Sequence, residues 1–194
     1  MEGKTNKLSK VNKLILASIP RSGSTWIHRA LCGLPPSPTT SKNPFHKKLE
    51  GWSIYKTHRT FEHWEHKIHS KDKVIFIFGD ITHSVISTRE KRYEKNHFKN
   101  CGYTGSFENK NIYEEDFLNY ELIFDSWVNC NLPNLLILRY ETFSPSTLYN
   151  FVPFSFNLPP RTPRTDYTNV KKSNITKIQN TYKSLIKKSM LLSV

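Results

Sequence analysis

The sequence predicts a three-layer α/β fold, in which a mostly parallel central sheet carries flanking helices. Three short apolar runs are typical of buried strands, because each is rich in branched side chains and each ends in a polar turn. Segments with helical spacing of apolar residues separate these runs, and that alternation indicates parallel strands joined by crossover helices. The three runs are residues 13–19, 73–78 and 135–140.

Length and charge set the first limits on function. The 194 residues are expected to form a flexible basic lead-in at 1–12 and a single domain at 13–194. With 29 basic and 16 acidic residues, the net charge of +13 favours an anionic partner. The polar start and the lack of a long apolar run predict a soluble, cytoplasmic protein with no membrane span. Nothing in the sequence indicates the oligomeric state.

The first βα unit, residues 13–34, is the most informative stretch. After the strand and Pro20, a loop of small residues leads into a helix that begins near Trp26. Free backbone N–H groups and the positive end of the helix dipole meet there, which suits a phosphate or sulfate. Arg21 adds a fork of donors. An ordinary turn whose side chains only cap the helix stays the alternative. The small residues are Ser22, Gly23, Ser24 and Thr25.

A fourth short strand, residues 52–57, is predicted to bring Lys56 and His58 to the same edge of the sheet. The carboxyl ends of parallel strands meet at one edge, where ligands bind. Imidazole titrates near neutral pH and can take a proton from a hydroxyl, while Lys56 and Arg21 supply positive charge. A lone histidine after a strand is more often a surface residue or a structural hydrogen-bonding group. His58 is therefore a candidate base only because of the residues expected beside it.

The remaining segments are interpreted from periodicity and from breakers. Cysteine spacing indicates neither a disulfide framework nor a zinc site, and the three-residue step of His63, His66 and His69 drifts around a helix, so no metal is expected. The expected elements are an irregular loop at 35–48, a helix at 82–93, a mobile polar loop at 94–110, and helices at 113–128 and 174–190.

Four motifs between residues 13 and 143 together resemble sulfotransferases that use 3′-phosphoadenosine 5′-phosphosulfate (PAPS). The loop after the first strand resembles the family's 5′-phosphosulfate-binding loop. Lys56-Thr57-His58 resembles its Lys-Thr-His motif, in which the histidine is the catalytic base and the lysine stabilises the transition state. The resemblance implies that Ser87 binds the 3′-phosphate and that Tyr140 and Trp26 lie by the adenine.

The implied activity is transfer of a sulfuryl group from PAPS to a hydroxyl or amine of a small-molecule or glycan acceptor, without a metal. This sequence departs from the family's pattern at two places, and both concern the residues that bind the 3′-phosphate. The family's arginine after the third strand is Gly79 here, and its C-terminal Arg-Lys-Gly clamp is missing. Arg89, Arg92 or lysines of the tail are candidates to replace those charges.

The sequence is also compatible with other functions. An inactive sulfotransferase-like protein is compatible with the two departures. A basic polyanion-binding module fits the charge, although no nucleic-acid motif is present and no specific nucleic acid is expected. A phosphate-loop kinase lacks both the Gly-Lys-Ser/Thr ending and a clear Mg²⁺ carboxylate other than Asp80. The acceptor has no signature in the sequence.

Overall fold

The structure is a computed structural model that describes residues 11–35, 46–161, 163–164 and 166–192. The lead-in at 1–10 and the part of the predicted loop at 36–45 lie outside the described residues. Within them, the chain forms the predicted α/β architecture, built on a five-stranded sheet. The strands are β1 (Asn12–Ser18), β2 (His46–Leu49), β3 (Trp52–Thr57), β4 (Lys73–Phe78) and β5 (Leu135–Arg139).

The sheet is parallel except at one edge, as the apolar runs predict. Its strand order is β2-β3-β1-β4-β5, and β1, β3, β4 and β5 all run in the same direction. The chain first winds from β1 to β3 on one side and then returns past β1 to β4. Such a reversal of strand order opens a crevice at the carboxyl ends of the strands, where ligands bind in this fold class.

Helices cover both faces of the sheet. Alternate residues of the central strands are buried on opposite sides, so β1 sends Ile15 to one core and Leu16 to the other. The helices α1 and α5 pack on the Leu16 side, and the remaining helices pack on the Ile15 side. The helices are α1 (Ser24–Leu31), α2 (Ile81–Glu90), α3 (Glu94–Cys101), α4 (Tyr120–Val128), α5 (Pro145–Phe151), α6 (Lys172–Thr181) and α7 (Lys183–Leu191).

Three sequence-based expectations are wrong in detail. Strand β2 occupies the end of the segment expected to be irregular, and it pairs antiparallel with β3. Helix α3 occupies half of the expected polar loop at 94–110. The expected last helix is two helices that meet at Tyr182, whose hydroxyl donates to the carbonyl oxygen of Ile112 at 3.0 Å.

Smaller differences concern boundaries. Strand β1 starts at Asn12, inside the expected lead-in, and the helix expected from 113 begins only at Tyr120. Among the described residues, no helix has both the length and the apolar character needed to cross a bilayer.

Candidate functional site

The loop between β1 and α1 has an unusual backbone that opens the helix end toward a cavity. Arg21 and Gly23 have φ angles of +62° and +81°. Gly23 is the N-cap of α1, and no side chain caps the helix there, so the serines and threonine of the loop do not act as the alternative interpretation requires. The N–H of Trp26 donates to the carbonyl oxygen of Gly23 at 3.0 Å, whereas the N–H groups before it at the start of a helix have no acceptor within the helix and can bind an anion.

Two buried side chains lie at this loop. Ser22 is fully buried, and its hydroxyl has no hydrogen-bond partner among the described residues. The ring of Tyr140 lies against Gly23 so closely that a Cβ at position 23 would overlap it. Tyr140 also packs edge-on against Trp26, with ring centroids 5.9 Å apart. The two rings that the family resemblance would place by an adenine therefore flank the loop together.

Lys56 reaches the loop from the end of β3. Its Nζ donates to Thr25 Oγ1 at 2.6 Å, and this hydrogen bond connects the end of β3 to the start of α1. Burial of the ammonium and the neighbouring charge of Arg21 lower the pKa of Lys56 to about 8. A nearby anion would favour the charged form and raise this pKa again.

His58 is buried at the end of β3, with its ring fixed by the end of β1. Its Nδ1 lies 2.8 Å from the carbonyl oxygen of Ser18 and 3.1 Å from Ser18 Oγ. Because a carbonyl oxygen can only accept, Nδ1 carries the proton and Nε2 keeps its lone pair. Burial, followed by the charge of Lys56, holds the pKa of His58 well below its usual value. The imidazole is therefore neutral at pH 7 and able to accept a proton at Nε2.

Arg21 connects the loop to α2. Its Nε donates to Ser87 Oγ at 3.0 Å, and its guanidinium lies 5.0 Å from the centroid of the Tyr93 ring. Ser87 is buried on α2, so the residue matched to a phosphate-binding serine lies beside the arginine of the loop. The two groups face the same cavity.

All of the site residues named from the sequence line one cavity except Ser22, which is the buried residue of the loop. The cavity has a volume of about 320 Å³, which is within the range of small-ligand sites. Lysine and arginine line it, while aspartate and glutamate are absent from the described part of its lining. The sequence-named lining residues are Arg21, Gly23, Ser24, Thr25, Trp26, Lys56, His58, Ser87 and Tyr140.

Sequence reasoning missed further residues of this cavity, chiefly His97 and Arg164. His97 lies on α3, in a segment expected to be a loop, and its ring centroid is 5.2 Å from that of His58. Both of its ring nitrogens are buried without a hydrogen-bond partner among the described residues. Burial, with the charges of Lys56 and Arg21, lowers the pKa of His97 to about 3. The only sequence signal for it was a histidine in a polar segment.

Asp80 and the histidines at 63, 66 and 69, which were weighed as possible metal ligands from the sequence, have other contacts. Asp80 caps α2, where its Oδ1 accepts the N–H of His83 at 2.7 Å. His63 ends a 3₁₀ turn and contacts Lys67 Nζ through Nε2 at 3.1 Å. In the described ranges, no three histidine, cysteine, aspartate or glutamate side chains are grouped so that they could hold a metal ion.

Comparisons with known proteins give likenesses to solved structures only at a distance. No family model matches the chain, and no curated protein sequence matches it. Among solved structures, the chain is similar to mouse sulfotransferase SULT7A1 in complex with PAP, with 16% sequence identity and a TM-score of 0.47. The match covers 88% of this chain and 64% of that one. At this distance the activity has to be argued from the chain's own residues.

Proposed function

We propose that this protein is a sulfotransferase that moves a sulfuryl group from PAPS to a hydroxyl or amine of a small-molecule or glycan acceptor. The observation that carries the proposal is the convergence of the loop before α1, the ammonium of Lys56 and the neutral imidazole of His58 on one cavity. The loop offers N–H donors for an anion, the ammonium offers charge, and the imidazole offers a base.

The donor nucleotide fits the residues that are present. The lining provides cations without carboxylates among the described residues, and it includes the rings of Trp26 and Tyr140. Indole and phenol rings are suitable surfaces for a purine, and fixed donors bind phosphate and sulfate groups strongly where water is excluded. The donor nucleotide, when bound, supplies the activated sulfuryl group.

In the proposed reaction, His58 Nε2 takes the proton of the acceptor hydroxyl as the acceptor oxygen forms its bond to sulfur. The bond between sulfur and the bridging oxygen of the 5′-phosphate breaks, and its electron pair stays on that oxygen. Lys56 and Arg21 stabilise the negative charge that the leaving phosphate gains. The hydrogen bond from Nδ1 to Ser18 keeps the imidazole in the tautomer that this role needs.

Calorimetry with adenosine 3′,5′-bisphosphate and with ATP tests the nucleotide part of the proposal. We expect binding of the bisphosphate in the absence of Mg²⁺, and much weaker binding of ATP. A preference for ATP that depends on Mg²⁺ would replace the proposal with a kinase. Equal, strongly salt-sensitive binding of both nucleotides and of heparin would instead indicate a general polyanion-binding surface.

A further inference from the structure

Arg164 projects from the C-terminal segment into the cavity, although the sequence gives it no motif. Its side chain is only 16% exposed, and its Nε lies 2.6 Å from Glu141 Oε1. Its Nη1 donates to the carbonyl oxygen of Arg21 at 3.4 Å. Its Nη2 is buried and has no hydrogen-bond partner among the described residues. A guanidinium nitrogen in that state is a donor available to a ligand.

The guanidinium of Arg164 fills the space beside Gly79, at the end of β4. A Cβ built on Gly79 would lie closer than 3.0 Å to Arg164 Nη2. The φ angle of Gly79 is not in the left-handed region, so the backbone would accept a side chain there. It is therefore the arginine, rather than the backbone, that favours glycine at position 79.

Arg161 anchors the segment that carries Arg164. Its Nη1 and Nη2 donate to the carbonyl oxygens of Glu141 and Phe143, at 2.6 and 2.7 Å. Its guanidinium also lies 4.7 Å from the centroid of the Phe143 ring. The approach of this segment to the end of β5 is therefore fixed by several contacts rather than by one.

The cavity carries enough positive charge to bind a ligand with more than one anionic group. Arg21, Lys56 and Arg164 all line it, and the nearest carboxylate partner of Arg164 is Glu141. Glu141 has other partners as well, because its Oε1 accepts the N–H of Asp80 at 3.0 Å and its Oε2 lies 3.7 Å from Arg139 Nε. Two guanidinium groups and an ammonium in one cavity repel one another until an anion separates them.

We propose that Arg164 binds the 3′-phosphate of the nucleotide, with its guanidinium held at the end of β4 in the space beside Gly79. The inference rests on the proposed function, which assigns the 5′ group to the loop before α1. It differs from the sequence-based candidates, since Arg89 forms an ion pair with Glu94 and Arg92 is exposed. The missing charge is thus supplied from a different part of the chain.

The test is the selectivity for adenosine 3′,5′-bisphosphate over adenosine 5′-monophosphate, measured by calorimetry. We expect Arg164→Gln to lower this selectivity by about tenfold to a hundredfold, the loss of one charge-assisted contact, with little change for the monophosphate. Arg164→Lys should lie between the two proteins, because it keeps the charge but not the fork. Arg92→Gln removes the same charge from an exposed position and should leave the selectivity unchanged.

Gly79→Ala provides a second route to the same contact. The clash falls on the far end of a flexible side chain, so the variant should fold normally while Arg164 swings out of place. We expect Gly79→Ala to lower the selectivity in the wild-type background and to have no further effect in the Arg164→Gln background. Equal losses in both backgrounds would contradict an action of Gly79 through Arg164.

The outcomes separate this inference from the function on which it rests. If the wild-type protein prefers the bisphosphate and Arg164→Gln keeps that preference, the assignment of Arg164 is wrong while the proposed function stands. If the wild-type protein binds neither nucleotide, or does not distinguish them, the proposed function itself fails. Thermal melting of each variant shows that the comparison is between folded proteins.

Discussion

Replacing Gly23 by alanine perturbs the loop before α1 in two ways that can be measured separately. The first is backbone conformation, because φ at Gly23 is +81°. The second is contact, because a Cβ at this position would lie closer than 3.0 Å to Cδ2 and Cε2 of Tyr140. An aromatic ring packed between Gly23 and Trp26 cannot swing aside as a surface side chain would.

The two effects have different magnitudes. A left-handed conformation costs a residue with a Cβ about 1–2 kcal/mol. Overpacking against a fixed ring adds about 1–3 kcal/mol. We therefore expect Gly23→Ala to lower the free energy of unfolding by about 2–5 kcal/mol, and to weaken the binding of adenosine 3′,5′-bisphosphate because the donors of the loop are displaced.

Urea unfolding of matched variants checks this division. Gly33 has a φ of +60°, and a Cβ built there would meet nothing within 4 Å, so Gly33→Ala carries the backbone cost alone. In a Tyr140→Ala background, Gly23→Ala should likewise cost only about 1–2 kcal/mol. If Gly23→Ala costs no more than Gly33→Ala in the otherwise wild-type protein, the tight packing of Tyr140 on the loop is refuted.

Two further predictions concern titratable groups of the cavity. Because the pKa of Lys56 is about 8 in the free protein, its amine is neutral above that pH, and an anionic ligand must restore its proton. Binding of adenosine 3′,5′-bisphosphate at about pH 9 should take up a proton, seen as a dependence of the binding enthalpy on the buffer, whereas at about pH 6.5 Lys56 is already protonated and contributes no proton uptake. Lys56→Met should abolish the uptake. His97→Leu should raise the free energy of unfolding by about 1–3 kcal/mol in denaturant titrations, because it removes buried nitrogens that lack partners.

Each of these two predictions has an outcome that contradicts it. A binding enthalpy that is the same in every buffer at about pH 9 would show that the ligand does not sit beside Lys56. A loss of stability in His97→Leu would show that the imidazole makes favourable contacts in the folded protein.

The sequence pattern predicted the four parallel strands to within one or two residues. Strands β1, β4 and β5 contain continuous apolar runs, as is typical of parallel strands covered on both faces, whereas β3 was predicted as a short strand that follows Gly51. Strand β2 carries no such signal. Its sequence is His-Lys-Lys-Leu, and it lies at the edge of the sheet with alternate residues exposed. Only its pairing with β3 makes it a strand, and that pairing is a tertiary contact.

The cavity was predictable where its residues follow strands directly. Lys56 and His58 lie beside the loop because parallel strands end at the same edge of the sheet, and this rule can be used from the sequence alone. His97 and Arg164 lie outside that rule. His97 depends on the packing of α3, and Arg164 depends on a proline-rich segment that returns to the end of β4. Neither position follows from local propensity, so neither could be assigned in advance.

Sulfuryl transfer by a His58→Ala variant tests the central claim most directly. The assay uses PAPS with a panel of phenols, primary alcohols and amines, and calorimetry confirms that the variant still binds adenosine 3′,5′-bisphosphate. We expect transfer to fall by about 10²–10⁴-fold while nucleotide affinity is retained, the loss typical of a general base. Transfer at the wild-type rate to every acceptor that the native protein modifies would contradict the role of the imidazole and, with it, the proposed reaction.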